Sequence, residues 1–133
     1  MSKARVLIVD DEPDYLSIIQ ERIESWGYEA VKAQGGKQAL AIIEENLADI
    51  VILDYFMPGM DGVTVLKEIR RLNKDLAVIM LTAHPDVKGI KSAQELGVSS
   101  FISKLSHHAD TMVSLKAALE ISQKQIRPRK VNP

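Results

Sequence analysis

Three nearly continuous apolar runs constrain the fold of this chain most. They cover Arg5–Val9 (RVLIV), Ile50–Leu53 (IVIL) and residues 76–81 (LAVIML). A strand with one face in the core alternates apolar and polar residues, whereas a strand covered on both faces is apolar almost throughout. The runs therefore predict central strands of a sheet that carries helices on both faces.

Two further segments, residues 28–33 (YEAVKA) and 99–103 (SSFIS), mix polar and apolar residues, as edge strands with an open side do. Between the strands, apolar residues recur at helical spacing. Pro13 and Gly27 stand where a first helix would begin and end. The apolar positions of the five predicted helices are Leu16, Ile19, Ile23 and Trp26; Leu40, Ile43 and Leu47; Leu66 and Ile69; Val87, Ile90 and Ala93; and Met112, Leu115 and Leu119.

The alternation of five strands with five helices predicts an α/β fold with a doubly wound parallel sheet. Parallel strands need crossover connections, and a helix between each pair supplies them in a right-handed sense. With the second and fifth strands at the edges, we expect the flavodoxin-like strand order 2-1-3-4-5 and helices on both faces. Ligands in such sheets bind outside the carboxyl ends of the strands.

Composition limits the kinds of function that remain. The chain has 133 residues, 46% of them hydrophobic, with 17 basic and 18 acidic residues and no cysteine. This predicts one domain without disulfides or a thiolate site. The near-zero net charge predicts no direct binding of nucleic acid or of a membrane by this domain. The apolar run before Asp10 is too short for a signal peptide, so we expect a cytoplasmic location.

Polar residues follow the predicted strands at the edge where ligands bind. They are Asp10, Asp11 and Glu12 after the first strand, Asp54 after the third, Thr82 after the fourth and Lys104 after the fifth. Carboxylates held together repel one another, and their pKa values rise unless a cation neutralises them. Because the ligands are all oxygens, we expect Mg²⁺, with Mn²⁺ as an alternative; Ca²⁺ is disfavoured because the sequence has no EF-hand-like loop.

A lysine beside a divalent cation implies that an anion lies between the two positive charges. A phosphoryl group meets this condition, because the metal, the Lys104 ammonium and the Thr82 hydroxyl can each bind one of its oxygens. Asp54 lies between these groups and is then the expected nucleophile, which would form an acyl phosphate.

Four segments of the chain resemble the receiver domains of two-component response regulators. VLIVDDEPD, VILDYFMPGMDG, VIMLTAH and SFISK follow that family's order at similar spacing, within residues 4–122. The resemblance implies a receiver domain over residues 1–122 and a basic tail or linker over residues 123–133. It also implies a regulatory domain, which is not an enzyme beyond its own phosphotransfer and dephosphorylation.

The resemblance implies a role for each matching residue. The matches are Asp54 as phosphoacceptor; Asp10, Asp11, Asp54 and the Phe56 carbonyl as metal ligands; Thr82 and Lys104 as phosphoryl contacts; Thr82 and Phe101 as the switch pair; and Glu12, Ala83 and His84 as flanking residues. The implied phosphodonor is a sensor histidine kinase or a phosphotransfer protein. The resemblance implies that a downstream partner or an output domain is the target of the signal. It also implies that the face of residues 84–122 changes shape and offers a surface for a homodimer.

The chain departs from the family at Leu105, where most members have proline after the lysine. We expect a trans peptide before Leu105 and a reshaped loop over residues 105–110. The alternative function is an unphosphorylated receiver-like interaction module. A flavin protein of the same fold is disfavoured because DDEPD would repel its phosphate, and an aspartyl phosphohydrolase is disfavoured because Phe56 stands where a second acid is expected.

Overall fold

The computed structural model describes residues 3–83 and 87–126, and within them strands and helices alternate as predicted. The elements are β1 (Arg5–Val9), α1 (Pro13–Ser25), β2 (Glu29–Ala33), α2 (Gly36–Glu44), β3 (Ile50–Leu53), α3 (Gly62–Leu72), β4 (Ala77–Thr82), α4 (Val87–Glu95), β5 (Ser100–Ser103) and α5 (His108–Lys124). Every strand pairing is parallel, and the sheet order β2-β1-β3-β4-β5 confirms the predicted topology.

Strand β3 shows why the central runs are apolar on both faces. Val51 and Leu53 pack in the layer formed with α2, α3 and α4, whereas Ile50 and Ile52 pack in the layer formed with α1 and α5. None of the four is more than 2% exposed. Strands β2 and β5 lie at the two edges, as their mixed composition predicted.

The predicted extension of the second helix to Leu47 is wrong. Helix α2 ends at Glu44, and Leu47 is 38% exposed. Asn46 has a φ of 58°, a left-handed conformation that asparagine tolerates better than most residues. The Asn46 amide donates to the Ile43 carbonyl and the Leu47 amide to the Ile42 carbonyl, which are the two bonds of a Schellman end. This end turns the chain towards β3 before another helical turn can form.

Smaller differences concern strand ends and the loop after β5. Strand β4 covers Ala77–Thr82, one residue later than predicted, so Thr82 ends the strand instead of following it. The peptide bond between Lys104 and Leu105 is trans, as predicted. Leu105 is 72% exposed, and the chain passes through a turn there before α5 begins at His108.

Arg70 joins two loops at the amino edge of the sheet. Its guanidinium donates to the carbonyls of Leu96 (2.6 Å), Leu76 (2.7 Å) and Gly97 (3.0 Å), and also to that of Asn73 (3.2 Å). These carbonyls lie after α3 and after α4, so one side chain ties the entry of β4 to the segment before β5. The neighbouring Arg71 instead makes one exposed ion pair with Glu68.

Replacement of Arg70 should therefore destabilise the domain, although it lies far from the acidic edge. We expect Arg70→Met to lower the free energy of unfolding by about 2 kcal/mol, because two of the four hydrogen bonds are partly buried and a typical one contributes about 1 kcal/mol net. Arg71→Met is the matched control and should change it by less than about 1 kcal/mol. Urea unfolding measures both variants, and equal losses would contradict the role given to Arg70.

Candidate functional site

Asp10 and Asp54 continue the parallel ladder by one residue past β1 and β3. The Asp10 amide donates to the Ala33 carbonyl over 3.1 Å, and the Asp54 amide donates to the Val9 carbonyl over 3.0 Å. Because β1 and β3 are neighbours, the two carboxylates emerge at adjacent strand ends. They are only 3% and 5% exposed. Two acids are thus held out of water, which is costly unless a partner compensates.

The Lys104 ammonium is that partner. The Lys104 amide donates to the Thr82 carbonyl over 2.7 Å, which fixes the backbone at the carboxyl end of β5. From there the side chain reaches over the sheet edge, and Nζ donates to Oδ2 of Asp10 and, over 3.2 Å, to Oδ2 of Asp54. The Lys104 side chain is 8% exposed, so both ion pairs are largely screened from solvent.

The two ionisable groups of the Lys104–Asp54 pair respond differently to this burial. Burial raises the pKa of Asp54, the nearby charge of Asp10 raises it further, and the Lys104 ammonium only partly opposes the increase. Burial alone would lower the pKa of Lys104, but the hydrogen bond to Asp10 and the charges of Asp54 and Asp10 raise it. The lysine therefore stays charged, while the ionised form of Asp54 is held at a cost.

Acidic side chains beside the ion pairs form a group that could hold a cation. Oxygen atoms of Asp10, Asp11 and Glu12 lie within 4.8 Å of one another. The predicted ligand Asp54 is not in this group, whereas Glu12 is. Oδ1 of Asp54 accepts from the Phe56 amide over 3.2 Å, and its Oδ2 accepts from Lys104. All of these donors are oxygens, which is the chemistry that Mg²⁺ prefers.

An open cavity of about 230 Å³ lies over these groups. It brings together most of the residues predicted for the site, namely Asp11, Glu12, Asp54, Phe56, Ala83 and Lys104. A larger cavity, of about 490 Å³, lies at the opposite edge of the sheet beside Arg70 and Ala77. It has none of the predicted site residues and no acidic cluster, so the smaller cavity is the candidate site.

The predicted switch residues lie next to the site but below its surface. Thr82 is completely buried at the end of β4. Phe101 is half-buried on β5 and packs against the core layer of α2, α3 and α4. The register pairs Met80 with Phe101 and Thr82 with Ser103, so Thr82 and Phe101 lie on the same face of the sheet. His84 is outside the described residues.

The loop after Asp54 is shaped by a close backbone approach at Gly62. The Gly62 amide donates to the Tyr55 carbonyl over 2.7 Å, and a Cβ on Gly62 would lie 2.5 Å from the Asp54 carbonyl oxygen. Asp61 caps α3 by accepting from the Thr64 amide over 2.8 Å. The sequence DG thus lets α3 begin directly against the backbone of Asp54.

Tyr15 is a residue of the site that the sequence reasoning did not identify. Its ring centroid lies 4.2 Å from the Lys104 Nζ atom. The available signal was its position in the first turn of α1, three residues after the acidic run ends at Glu12. The contact itself joins residues far apart in sequence, so local patterns do not reveal it.

Comparison with known proteins identifies the family. A response regulator receiver domain profile matches residues 6–116. The chain belongs to this family of regulatory domains, which is typically phosphorylated on an aspartate. This membership favours the receiver function over the alternative of an unphosphorylated interaction module.

Three similar proteins cover most of the chain. A probable transcriptional regulator, ycf27, of Guillardia theta is 37% identical over 92% of this chain and 48% of its own length. Sporulation initiation phosphotransferase F of Bacillus subtilis is 34% identical over 78% of this chain and 84% of its own. The response regulator TrrA of Thermotoga maritima, solved with Mg²⁺ and BeF, is 34% identical with a TM-score of 0.79, covering 90% of this chain and 98% of the other.

The chain spans only part of many relatives. It covers 48% of the ycf27 regulator and 23% of the transcriptional regulatory protein GlrR of Escherichia coli. Among the residues that the structure describes, no helix has the length and apolarity needed to cross a bilayer.

The raised pKa of Asp54 means that its ionised carboxylate lowers the stability of the folded chain. We expect Asp54→Asn to raise the free energy of unfolding by about 1 kcal/mol at neutral pH without metal, because the buried charge is removed and an amide oxygen still accepts from Lys104. Folding favours the protonated form of Asp54, so the advantage of the variant should disappear as pH falls through the raised pKa towards 3.8.

Urea unfolding at neutral and mildly acidic pH measures this difference. Glu21→Gln is the matched control, since Glu21 is exposed on α1 and its replacement removes a negative charge that is not buried. A variant at Asp54 that is less stable than the native chain at neutral pH would contradict the penalty assigned to the buried carboxylate.

Proposed function

We propose that the chain accepts a phosphoryl group on Asp54 from a phosphohistidine and uses the resulting change to signal. The observation that carries this proposal is the buried Asp54 carboxylate, which lines an open cavity while it is bonded to Lys104. A purely structural ion pair has no need of an opening to solvent or of further acids beside it. Family membership makes an aspartate the expected acceptor, and Asp54 is the acid at the end of the central strand β3.

The proposed transfer needs no reactant other than the phosphohistidine and a proton from solvent. One oxygen of Asp54 forms a bond to phosphorus as the bond between phosphorus and the donor imidazole nitrogen breaks. The electron pair of that bond stays on the nitrogen, and the imidazole takes up one proton from solvent. The Lys104 ammonium is in place before the step begins. It then exchanges its contact with the Asp54 carboxylate for one with an oxygen of the new phosphoryl group.

The donor set fits Mg²⁺. Asp10, Asp11, Asp54 and the carbonyl of Phe56 would hold the ion, and Glu12 would orient its waters. When bound, Mg²⁺ offsets the negative charge between Asp54 and the incoming phosphoryl group. The related Thermotoga maritima protein was solved with Mg²⁺ and BeF, which supports the same ion here, with Mn²⁺ as an alternative.

Signalling would start from the added charge of about −1.5 to −2. We propose that the Thr82 hydroxyl moves to meet the phosphoryl oxygens, that the small Ala83 leaves them room, and that Phe101 follows into the vacated space. The buried position of Thr82 and the half-buried position of Phe101 on the same sheet face support this coupling. The surface that would change is the face of residues 84–122.

Several exposed apolar side chains on α5 support a partner surface there. Val113 is 69% exposed and Ile121 is 59% exposed, with the exposed Ala117 between them on the same helical stripe. A downstream partner, an output domain or a second copy of the chain are the proposed occupants. We do not assign nucleic-acid or membrane binding to this domain, and its proposed location is the cytoplasm.

The proposed domain boundary lies after residue 122. We assign residues 1–122 to the receiver and residues 123–133 to a basic tail or linker, although helix α5 continues to Lys124. Residues 127–133 lie outside the described part of the chain. The longer relatives are transcriptional regulators, which supports an output domain or separate partner as the target of the signal.

Intact mass after incubation with acetyl phosphate and Mg²⁺ tests the proposal directly. We expect the native chain to gain the mass of one phosphoryl group, to lose it in hydroxylamine as an acyl phosphate does, and to gain nothing when Mg²⁺ is chelated. Asp54→Asn should gain nothing. Asp14→Asn, which removes an exposed acid in the first turn of α1, is the matched control and should be phosphorylated like the native chain. Equal phosphorylation of Asp54→Asn and the native chain would refute the assignment.

A further inference from the structure

We propose that Tyr15 is a positioning residue that holds the Lys104 ammonium at the site through the face of its ring. The inference rests on the proposed phosphoacceptor function for its consequence, but its geometry stands independently. Three groups surround the Lys104 Nζ atom, namely the Asp10 carboxylate, the Asp54 carboxylate and the Tyr15 ring, whose centroid is 4.2 Å away. A cation within about 6 Å of a ring centroid is attracted to the negative face of the ring.

The three contacts differ in what a divalent cation would do to them. Asp10 and Asp54 are also the proposed metal ligands, so a bound cation would draw their charge away from Lys104. It would also repel the ammonium directly, because both are positive and the Lys104 side chain is largely screened from solvent. The Tyr15 contact is made by the face of the ring, which has no charge for a divalent cation to draw away, so this contact survives when the other two weaken.

The local fold gives the ring a fixed position. Pro13 begins α1, and the Leu16 amide donates to the Glu12 carbonyl over 3.0 Å, so the first helical turn starts directly after the acidic run. Leu16 is 2% exposed in the core layer of α1 and α5, and Tyr15 packs against the same layer. A ring anchored in this way can hold a flexible lysine stem that would otherwise sample several rotamers.

Different substitutions test the ring and the hydroxyl of Tyr15 separately. Attraction to the ammonium requires the aromatic face, which phenylalanine also has, and an aliphatic side chain of similar size lacks it. Tyr15→Phe should therefore preserve the position of Lys104, whereas Tyr15→Leu should not. Tyr15→Met gives a second aliphatic replacement in case leucine disturbs the packing of α1.

The ring current of Tyr15 provides a direct spectroscopic test. The Lys104 Nζ atom lies over the ring, so the NMR signals of the adjoining methylene protons should be shifted upfield in the native chain and in Tyr15→Phe. We expect the shift to persist when Mg²⁺ is added and to be absent in Tyr15→Leu and Tyr15→Met. Loss of the upfield shift in the native chain on addition of Mg²⁺ would overturn the proposal.

The rate of phosphorylation by acetyl phosphate at saturating Mg²⁺ tests the consequence. We expect Tyr15→Leu to be slower by about fivefold, in line with the strength of a partly buried cation–π contact, and Tyr15→Phe to stay within about twofold of the native rate. Tyr28→Leu is the matched control, because Tyr28 lies in the same core layer and does not contact Lys104 in the described structure. It should lower stability without slowing phosphorylation.

Equal rates for Tyr15→Leu and the native chain would refute the positioning role, as would a similar slowing in Tyr28→Leu. The NMR measurement decides about the ring contact even if Asp54 accepts no phosphoryl group. Failure of the proposed function and failure of this inference can therefore be told apart.

Discussion

The bridge from the Lys104 ammonium to the carboxylates of Asp10 and Asp54 is the interaction on which the site depends. It joins the ends of β5, β1 and β3, so the strand order β2-β1-β3-β4-β5 has to be correct before it can form. Removing Lys104 would leave both buried carboxylates without compensation, and such a loss from a buried pair typically costs about 3–5 kcal/mol. Replacing the whole group by apolar residues is often neutral or stabilising, so stability alone does not account for its presence.

The site carries more negative than positive charge, as a site that binds a cation and a phosphoryl group would. One ammonium faces two buried carboxylates, and Asp11 and Glu12 add negative charge beside them. Burial raises the pKa of Asp54 even with Lys104 in contact. The site therefore gains from a further cation, and a phosphoryl group between that cation and Lys104 would separate their positive charges. The Tyr15 ring adds a contact that does not depend on this charge balance.

Much of this could be predicted from the sequence because each feature has a local cause. Apolar runs on both faces of β1, β3 and β4 identified the central strands, and parallel topology alone brings their carboxyl ends to one edge. The mixed composition of β2 and β5 predicted that they lie at the edges, although polarity alone permitted other strand orders. The same reasoning placed Asp54, Asp10 and Lys104 together, and the structure has all three in contact.

Other features depend on geometry that residue patterns do not contain. Leu47 continues the helical spacing of α2, but the left-handed Asn46 ends the helix first. The Asp54 carboxylate accepts from Lys104 and from the Phe56 amide, and no residue pattern specifies these two bonds. The contact between Tyr15 and Lys104 joins α1 to the segment after β5, which no sequence spacing specifies.

A crystal structure of the chain with Mg²⁺ and beryllium fluoride tests the central claim most directly. The account predicts a beryllium fluoride group on the Asp54 carboxylate, the metal on Asp11 and Asp54, and the Lys104 ammonium moved from Asp54 to a fluorine while it stays over the Tyr15 ring. An empty cavity, with Lys104 still bonded to Asp10 and Asp54 at concentrations that load related receivers, would contradict it.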